Sequence, residues 1–135
     1  MFTLEQIKAV HSKVKTGADF PAYIKRMKEL NVVYYETFLL DGHSEYHGPD
    51  GFKLVSGSRY DAQEIGRVAN PEQLRADIAF HQGGGSDYFQ ITRQCAANGI
   101  EKWAVCMEAM TCTYYDLAGN KVMVETIPDV VTQSA

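Results

Sequence analysis

Twice along this chain a stretch of helical periodicity gives way to an alternating one, and that double change restricts the folds open to it. Leu4, Ile7, Val10 and Val14 recur at helical spacing, and Phe20, Ile24 and Met27 form a second apolar stripe flanked by Tyr23 and Leu30. From Val32 the period changes: the run Val33-Tyr34-Tyr35-Glu36-Thr37-Phe38-Leu39-Leu40 is rich in β-branched and aromatic residues. The same succession returns downstream. Leu74, Ile78 and His81 share one helix face, and Phe89, Thr92, Cys95 and Ala96 share another. Residues 101–108, 111–116 and 121–127 then read as three strands. Helix, helix, strand, strand, strand therefore occurs twice, which predicts an α+β domain with a mainly antiparallel sheet.

Local chemistry sets the ends of these elements. Thr3 and Gln6 can form a capping box, with Phe2 and Ile7 as a hydrophobic staple, so residues 3–15 are expected to be helical as far as the break at Gly17. Asp19 opens the second helix with Pro21 in its first turn, and Asn31 can adopt the left-handed conformation that stops it. Asn70-Pro71 and Ser86-Asp87 open the third and fourth helices, and Asn98-Gly99 ends the latter. Asp41-Gly42 predicts a two-residue type I′ hairpin turn, and Gly48-Pro49-Asp50-Gly51 a second turn leading to a strand over 52–55. Residues 56–69 are open to two readings, a short strand around Tyr60, Ile65 and Val68 or a packed loop. Residues 131–135 are expected to fray.

Sliding the chain along itself by 68 residues aligns the two halves: Gly17 falls on Gly85, Asp19 on Asp87, Asn31 on Gly99, Tyr35 on Trp103, Tyr46 on Tyr114, Gly51 on Gly119 and Lys53 on Lys121. Cap, turn and core positions coincide together. The expectation is one domain over residues 1–135, made by tandem duplication of helix–helix–three-strand units at 3–55 and 70–127. A pseudo-two-fold arrangement of this kind leaves room for a small ligand between the halves, and for a homodimer through an exposed strand edge.

Strand alternation sorts the hairpin residues into faces. Tyr35, Thr37, Leu39 and Tyr46 fall on one side, with Trp103, Val105, Met107, Cys112 and Tyr114 as their counterparts. These are the expected core. Across a turn at Asp41-Gly42, Glu36 would face His47, so the other side gathers Glu36, His43, Glu45 and His47. Histidine and carboxylate together can bind a divalent metal or move protons, which makes these four the candidate binding residues. Side chains two apart in a strand lie about 7 Å apart, within reach of one ion, whereas positions 43 and 47 are about 13 Å apart and are not. The competing expectation is a solvent-facing polar surface. Nothing forms a convergent catalytic set, and no cofactor is expected.

Cys112 is expected beside Met107 on the core face and Cys106 on the opposite face, which disfavours a disulfide between them; Cys95 and Cys112 read as buried structural thiols. His11 and His81 read as helix boundary side chains, and Gly83-Gly84-Gly85 as a plain loop.

Composition removes further classes. A chain of 135 residues can bury a core without disulfide or metal support. Thirteen basic residues dispersed among seventeen acidic ones, for a net charge of −4, make no phosphate-binding surface, so nucleic acid is not an expected partner. An odd count of three cysteines and an N-terminus without the basic-then-apolar order of a signal peptide point to a cytoplasmic setting. No apolar run approaches the roughly 20 residues of a membrane helix.

Several of these stretches together resemble a known family: Phe2-Thr3-Leu4-Glu5-Gln6-Ile7, Lys15-Thr16-Gly17-Ala18-Asp19-Phe20-Pro21, Tyr35-Glu36-Thr37-Phe38 with Asp41-Gly42-His43, Gly99-Ile100-Glu101-Lys102-Trp103, and Met110-Thr111-Cys112-Thr113-Tyr114-Tyr115-Asp116. The resemblance is to the YdfO-like bacterial family of unknown function, whose members are sometimes labelled phage envelope proteins. It implies a small α+β domain, in some cases encoded near prophage genes, and supplies no activity, cofactor or catalytic residue. The leading expectation is a non-enzymatic binding or interaction module. The alternative is a metal-assisted or acid–base enzyme using Glu36, His43, Glu45 and His47.

Overall fold

A computed structural model describes residues 1–15 and 17–128. The fraying expected of residues 131–135 lies outside the described residues. Four helices are present among the described residues: α1 (Leu4–His11), α2 (Phe20–Glu29), α3 (Pro71–Gln82) and α4 (Tyr88–Ala97). With them are six strands: β1 (Tyr34–Phe38), β2 (Ser44–His47), β3 (Lys53–Val55), β4 (Ile100–Cys106), β5 (Thr111–Asp116) and β6 (Lys121–Thr126). The strands form one continuous antiparallel sheet in the order β3-β2-β1-β4-β5-β6. All four helices send buried residues (Ile7, Ile24, Met27, Leu74, Ile78, Ile91, Cys95) into a single core with Tyr35, Leu39, Tyr46, Val105, Met107, Cys112 and Tyr114 of the strands and their turns. The result is two layers, helices on one face of a sheet.

The caps read from the sequence are present except at α2, where Asp19 stands at the N-cap without a side-chain cap bond and its carboxylate accepts from the Lys15 amide at 2.8 Å. Thr3 and Gln6 bond reciprocally, at 3.1 and 2.9 Å, and Phe2 and Ile7 are both buried. Asn70 accepts from the Gln73 amide at 3.2 Å and Asp87 from the Gln90 amide at 2.8 Å. Asn31 and Gly99 follow their helices at φ 71° and 85°. Helix α1 is shorter than expected, ending at His11. Ser12 turns its hydroxyl back onto the Ala9 carbonyl at 2.7 Å, the competition with helix propagation that serine favours.

The faces are sorted as alternation predicts, but the hairpin register is not. Glu36 lies opposite Glu45, not His47, and Tyr34 lies opposite His47. In the second half Cys112 lies opposite Val105, not Met107, and Cys106 lies opposite Thr111. Both hairpins turn through four residues, 39–42 and 107–110, rather than two. A type I′ turn needs two consecutive residues at positive φ. Here only Gly42 (φ 78°) adopts it in the first turn and Met110 (φ 53°) in the second. A displacement of two positions preserves the alternation, so each side chain keeps its face while its cross-strand neighbour changes.

Residues 56–69 form a packed loop without regular structure. The wider first turn is what holds it. Gln63 donates to the Leu39 carbonyl at 2.6 Å, the Tyr60 hydroxyl to the same carbonyl at 2.7 Å, and the Arg59 amide to the Asp41 carbonyl at 2.8 Å. Gly42 is obligatory there: besides its positive φ, an added Cβ would lie 2.6 Å from the Tyr60 ring.

Candidate functional site

The sheet has two faces, and the expected residues occupy the outer one. Glu36 is ion-paired with Lys102 at 2.6 Å, and Glu45 with Lys53 at 3.1 Å. His43 bonds the Asp41 carboxylate through Nδ1 at 2.6 Å and stacks on Phe38 with ring centres 4.5 Å apart. His47 packs against Tyr34. Each is engaged with its own neighbour, and the four do not converge. Among the described residues no group of three or more His, Cys, Asp or Glu side chains is placed to hold a metal ion. Burial works against the Asp41 carboxylate, but the hydrogen bonds from His43 outweigh it and hold its pKa below the usual value.

The inner face carries something different. Between it and the helices lies a cavity of about 70 Å³. That is space for several waters or a small organic group. Its floor comes from two rungs running across the sheet: Tyr46, Tyr35, Cys112 and Glu125 on one, and Thr37, Trp103 and Tyr114 on the next. Its roof comes from α1, α2, α3 and α4 through His11, Tyr23, Ile78 and Tyr88. The walls are largely aromatic. His11 meets Tyr88 edge-on with ring centres 4.8 Å apart, and Tyr88 meets Trp103 in the same way at 6.3 Å.

Arg59 enters this apolar space from the packed loop. Its guanidinium donates to the Tyr46 hydroxyl at 2.8 Å, the Tyr88 hydroxyl at 3.1 Å, the Gly42 carbonyl at 3.3 Å and the Ser44 hydroxyl at 3.4 Å. Every one of these acceptors is neutral, and Arg59 meets no carboxylate among the described residues. Burial opposes its charge, but the phenol oxygens of Tyr88 and Tyr46 outweigh it, so its pKa stands above the ordinary arginine value. A guanidinium has five N–H donors, and its Nε–H finds no partner among the described residues. The Tyr88 hydroxyl accepts from Arg59, which leaves its own proton to donate. A guanidinium in this setting, with a phenol hydroxyl beside it, can accept an anion.

Burial holds several other titratable groups of the cavity neutral. Burial, with the charge of Arg59 adding to it, lowers the His11 pKa to about 4. Burial also lowers that of His81, whose Nδ1 lies 3.0 Å from the Ser86 carbonyl and 2.9 Å from the Ser86 hydroxyl. Burial raises the Tyr23, Tyr35, Tyr88 and Tyr114 phenols and the Cys95 and Cys112 thiols above their ordinary values. None of these phenols or thiols is poised to lose its proton near neutrality, the condition a general base or a thiolate nucleophile requires. Chemically, the arrangement can hold an anion and cover an apolar body.

Close approach at the cavity edge depends on Gly17. A Cβ there would lie 2.4 Å from the His81 ring and 2.6 Å from the His81 carbonyl oxygen, so only glycine lets this turn seat against the end of α3. His11 and His81, read from the sequence as boundary residues, both line the cavity. Arg59 was hidden because its segment has no periodicity. The readable signal was a lone arginine between turn residues and tyrosines, which is not specific.

A two-layer domain with an aromatic cavity under its helices defines the class of protein. The chain belongs to a family described as protein of unknown function (DUF1398), which matches residues 8–126. No curated protein matches it significantly. Among the described residues, no helix is long and apolar enough to cross a membrane.

Proposed function

We propose that this chain is a binding module for a small organic anion, most simply a monocarboxylate with an apolar body, held in the cavity between helices and sheet. The observation that carries this is Arg59: a cation inside an aromatic enclosure, coordinated only by neutral oxygens, with Tyr88 able to donate beside it. An incoming carboxylate would accept from both and supply the missing charge, while the rings cover its body. The protonated thiols and phenols favour binding over turnover.

The duplication is part of this reading, and the register supports it. Helix α2 (Phe20–Glu29) shifted by 68 residues gives the bounds of α4 (Tyr88–Ala97). The pairs Tyr35 with Val105 and Thr37 with Trp103 exchange under the same shift, as a two-fold axis through the Glu36–Ala104 pair would require. A duplicated unit would give the cavity one wall from each copy. The likeness to YdfO-like proteins fits this reading, and nothing in the cavity calls for an envelope role. A reducing cytoplasmic setting fits the free Cys95, Cys106 and Cys112.

Titration calorimetry with phenylacetate and hexanoate tests the proposal. Wild type is expected to bind at one site. Arg59→Met is expected to weaken binding about 10- to 100-fold, the worth of a charge-assisted hydrogen bond. Tyr88→Phe, which leaves the guanidinium in place, is expected to weaken it about tenfold. Absence of uptake of either acid, or equal uptake by Arg59→Met, would refute it.

A further inference from the structure

The cavity has a second pole of opposite sign. Glu125 stands at the far end of the rung that begins at Tyr46, with Tyr35, Val105 and Cys112 between them. One carboxylate oxygen accepts from the Tyr114 hydroxyl at 2.6 Å and the other from Gln82 at 2.8 Å. No cation faces it among the described residues. His81 lines the same cavity, with its Nδ1 engaged by Ser86. One end of the cavity therefore has donors to spare and the other has acceptors to spare.

The two poles hang from corresponding residues. Tyr46 and Tyr114 occupy the same place in the two halves; one accepts from Arg59, the other donates to Glu125. The scaffold repeats while the charge reverses. Among the cavity-lining residues, Gln82 is the exposed one. Beyond it, Gly17, Phe20, Gln82 and Glu125 are shared with an outer groove that continues to Pro128. Glu125 thus sits where an elongated ligand would emerge.

We infer that the ligand is dipolar: a carboxylate at Arg59 and, at the other end of an apolar body, an ammonium or other strong hydrogen-bond donor facing Glu125. This rests on the anion-binding role of Arg59. Backbone positions 46 and 125 are four strand spacings apart, about 19 Å. The matching ligand is therefore extended, with its charged ends separated by several methylene groups or a ring.

The test pairs ω-amino acids, from butyrate to dodecanoate length, with the unsubstituted acids of equal length, by calorimetry on wild type, Glu125→Gln and Arg59→Met. In wild type the amino acid is expected to bind about tenfold tighter than its unsubstituted partner at one favoured length. Glu125→Gln, which keeps the hydrogen bond from Tyr114, is expected to abolish that advantage. No advantage at any length, or an advantage that survives Glu125→Gln, would overturn the dipolar ligand. If the unsubstituted acids still bind through Arg59, the anion site itself would stand. Loss of the unsubstituted acids from wild type would remove both.

Discussion

The two faces of this sheet are built from the same alternating strands and handle charge in opposite ways. On the outer face each acid or base has a neighbour: Glu36 with Lys102, Glu45 with Lys53, His43 with Asp41. On the inner face the two charges that enter the cavity, Arg59 and Glu125, have only neutral hydrogen-bond partners. Under the proposed function, a lone charge among aromatic rings is the better sign of a site than a cluster of polar side chains on a strand face. Water already solvates the first arrangement, whereas the second leaves a desolvation cost that a ligand can offset.

The largest expected break in this comparison is on the inner face. Tyr46→Ala removes a fully buried aromatic ring and the closest acceptor of Arg59, and it should cost about 3–5 kcal/mol in chemical denaturation. The same change at the half-buried Tyr34 of the outer face should cost distinctly less. A smaller loss at Tyr46 than at Tyr34 would mean that the cavity floor is not what holds the layers together.

Next is a pH effect specific to the inner face. His11 has a folded pKa of about 4 against an ordinary 6.5, so the unfolded chain takes up the proton first. Its contribution is complete above about pH 6.5 and is lost as pH falls toward 4, by about 2 kcal/mol after allowance for partial exposure. Denaturation measured across that window should show the loss, and His11→Gln should flatten it. An unchanged slope in the variant would place the titration elsewhere.

Two smaller effects sharpen the contrast. Thr37→Val deletes the buried hydrogen bond to Ser44, 2.8 Å long, and should cost about 1 kcal/mol. A double-mutant cycle between Glu36 and Lys102, using Gln and Met, should give a coupling of at most about 1 kcal/mol, since the pair is partly exposed to solvent. A coupling several times larger would make the outer face a built site after all.

What the sequence made legible follows from range. The caps at Thr3, Asn31, Asn70 and Asp87 are decided within a few residues, and they stand where local chemistry puts them. The core faces are decided by alternation, which survives a register displacement of two. The register itself was misread because Asp41-Gly42 looks like a two-residue turn, while docking of residues 59–63 onto the carbonyls of Leu39, Leu40 and Asp41 favours a wider one. Arg59 was illegible for the same reason: its partners Tyr46 and Tyr88 lie 13 and 29 residues away in the chain. Glu125 was nearer to hand. It alternates in phase with Met123, and an acid in phase with a core methionine was the available signal.

The most direct measurement is a crystal structure of the protein with phenylacetate bound. The account predicts one carboxylate oxygen within hydrogen-bonding distance of both the Arg59 guanidinium and the Tyr88 hydroxyl, with the ring against Tyr35 and Trp103. A carboxylate seated instead on the outer face against Lys102 or Lys53, with the inner cavity holding only water, would contradict it.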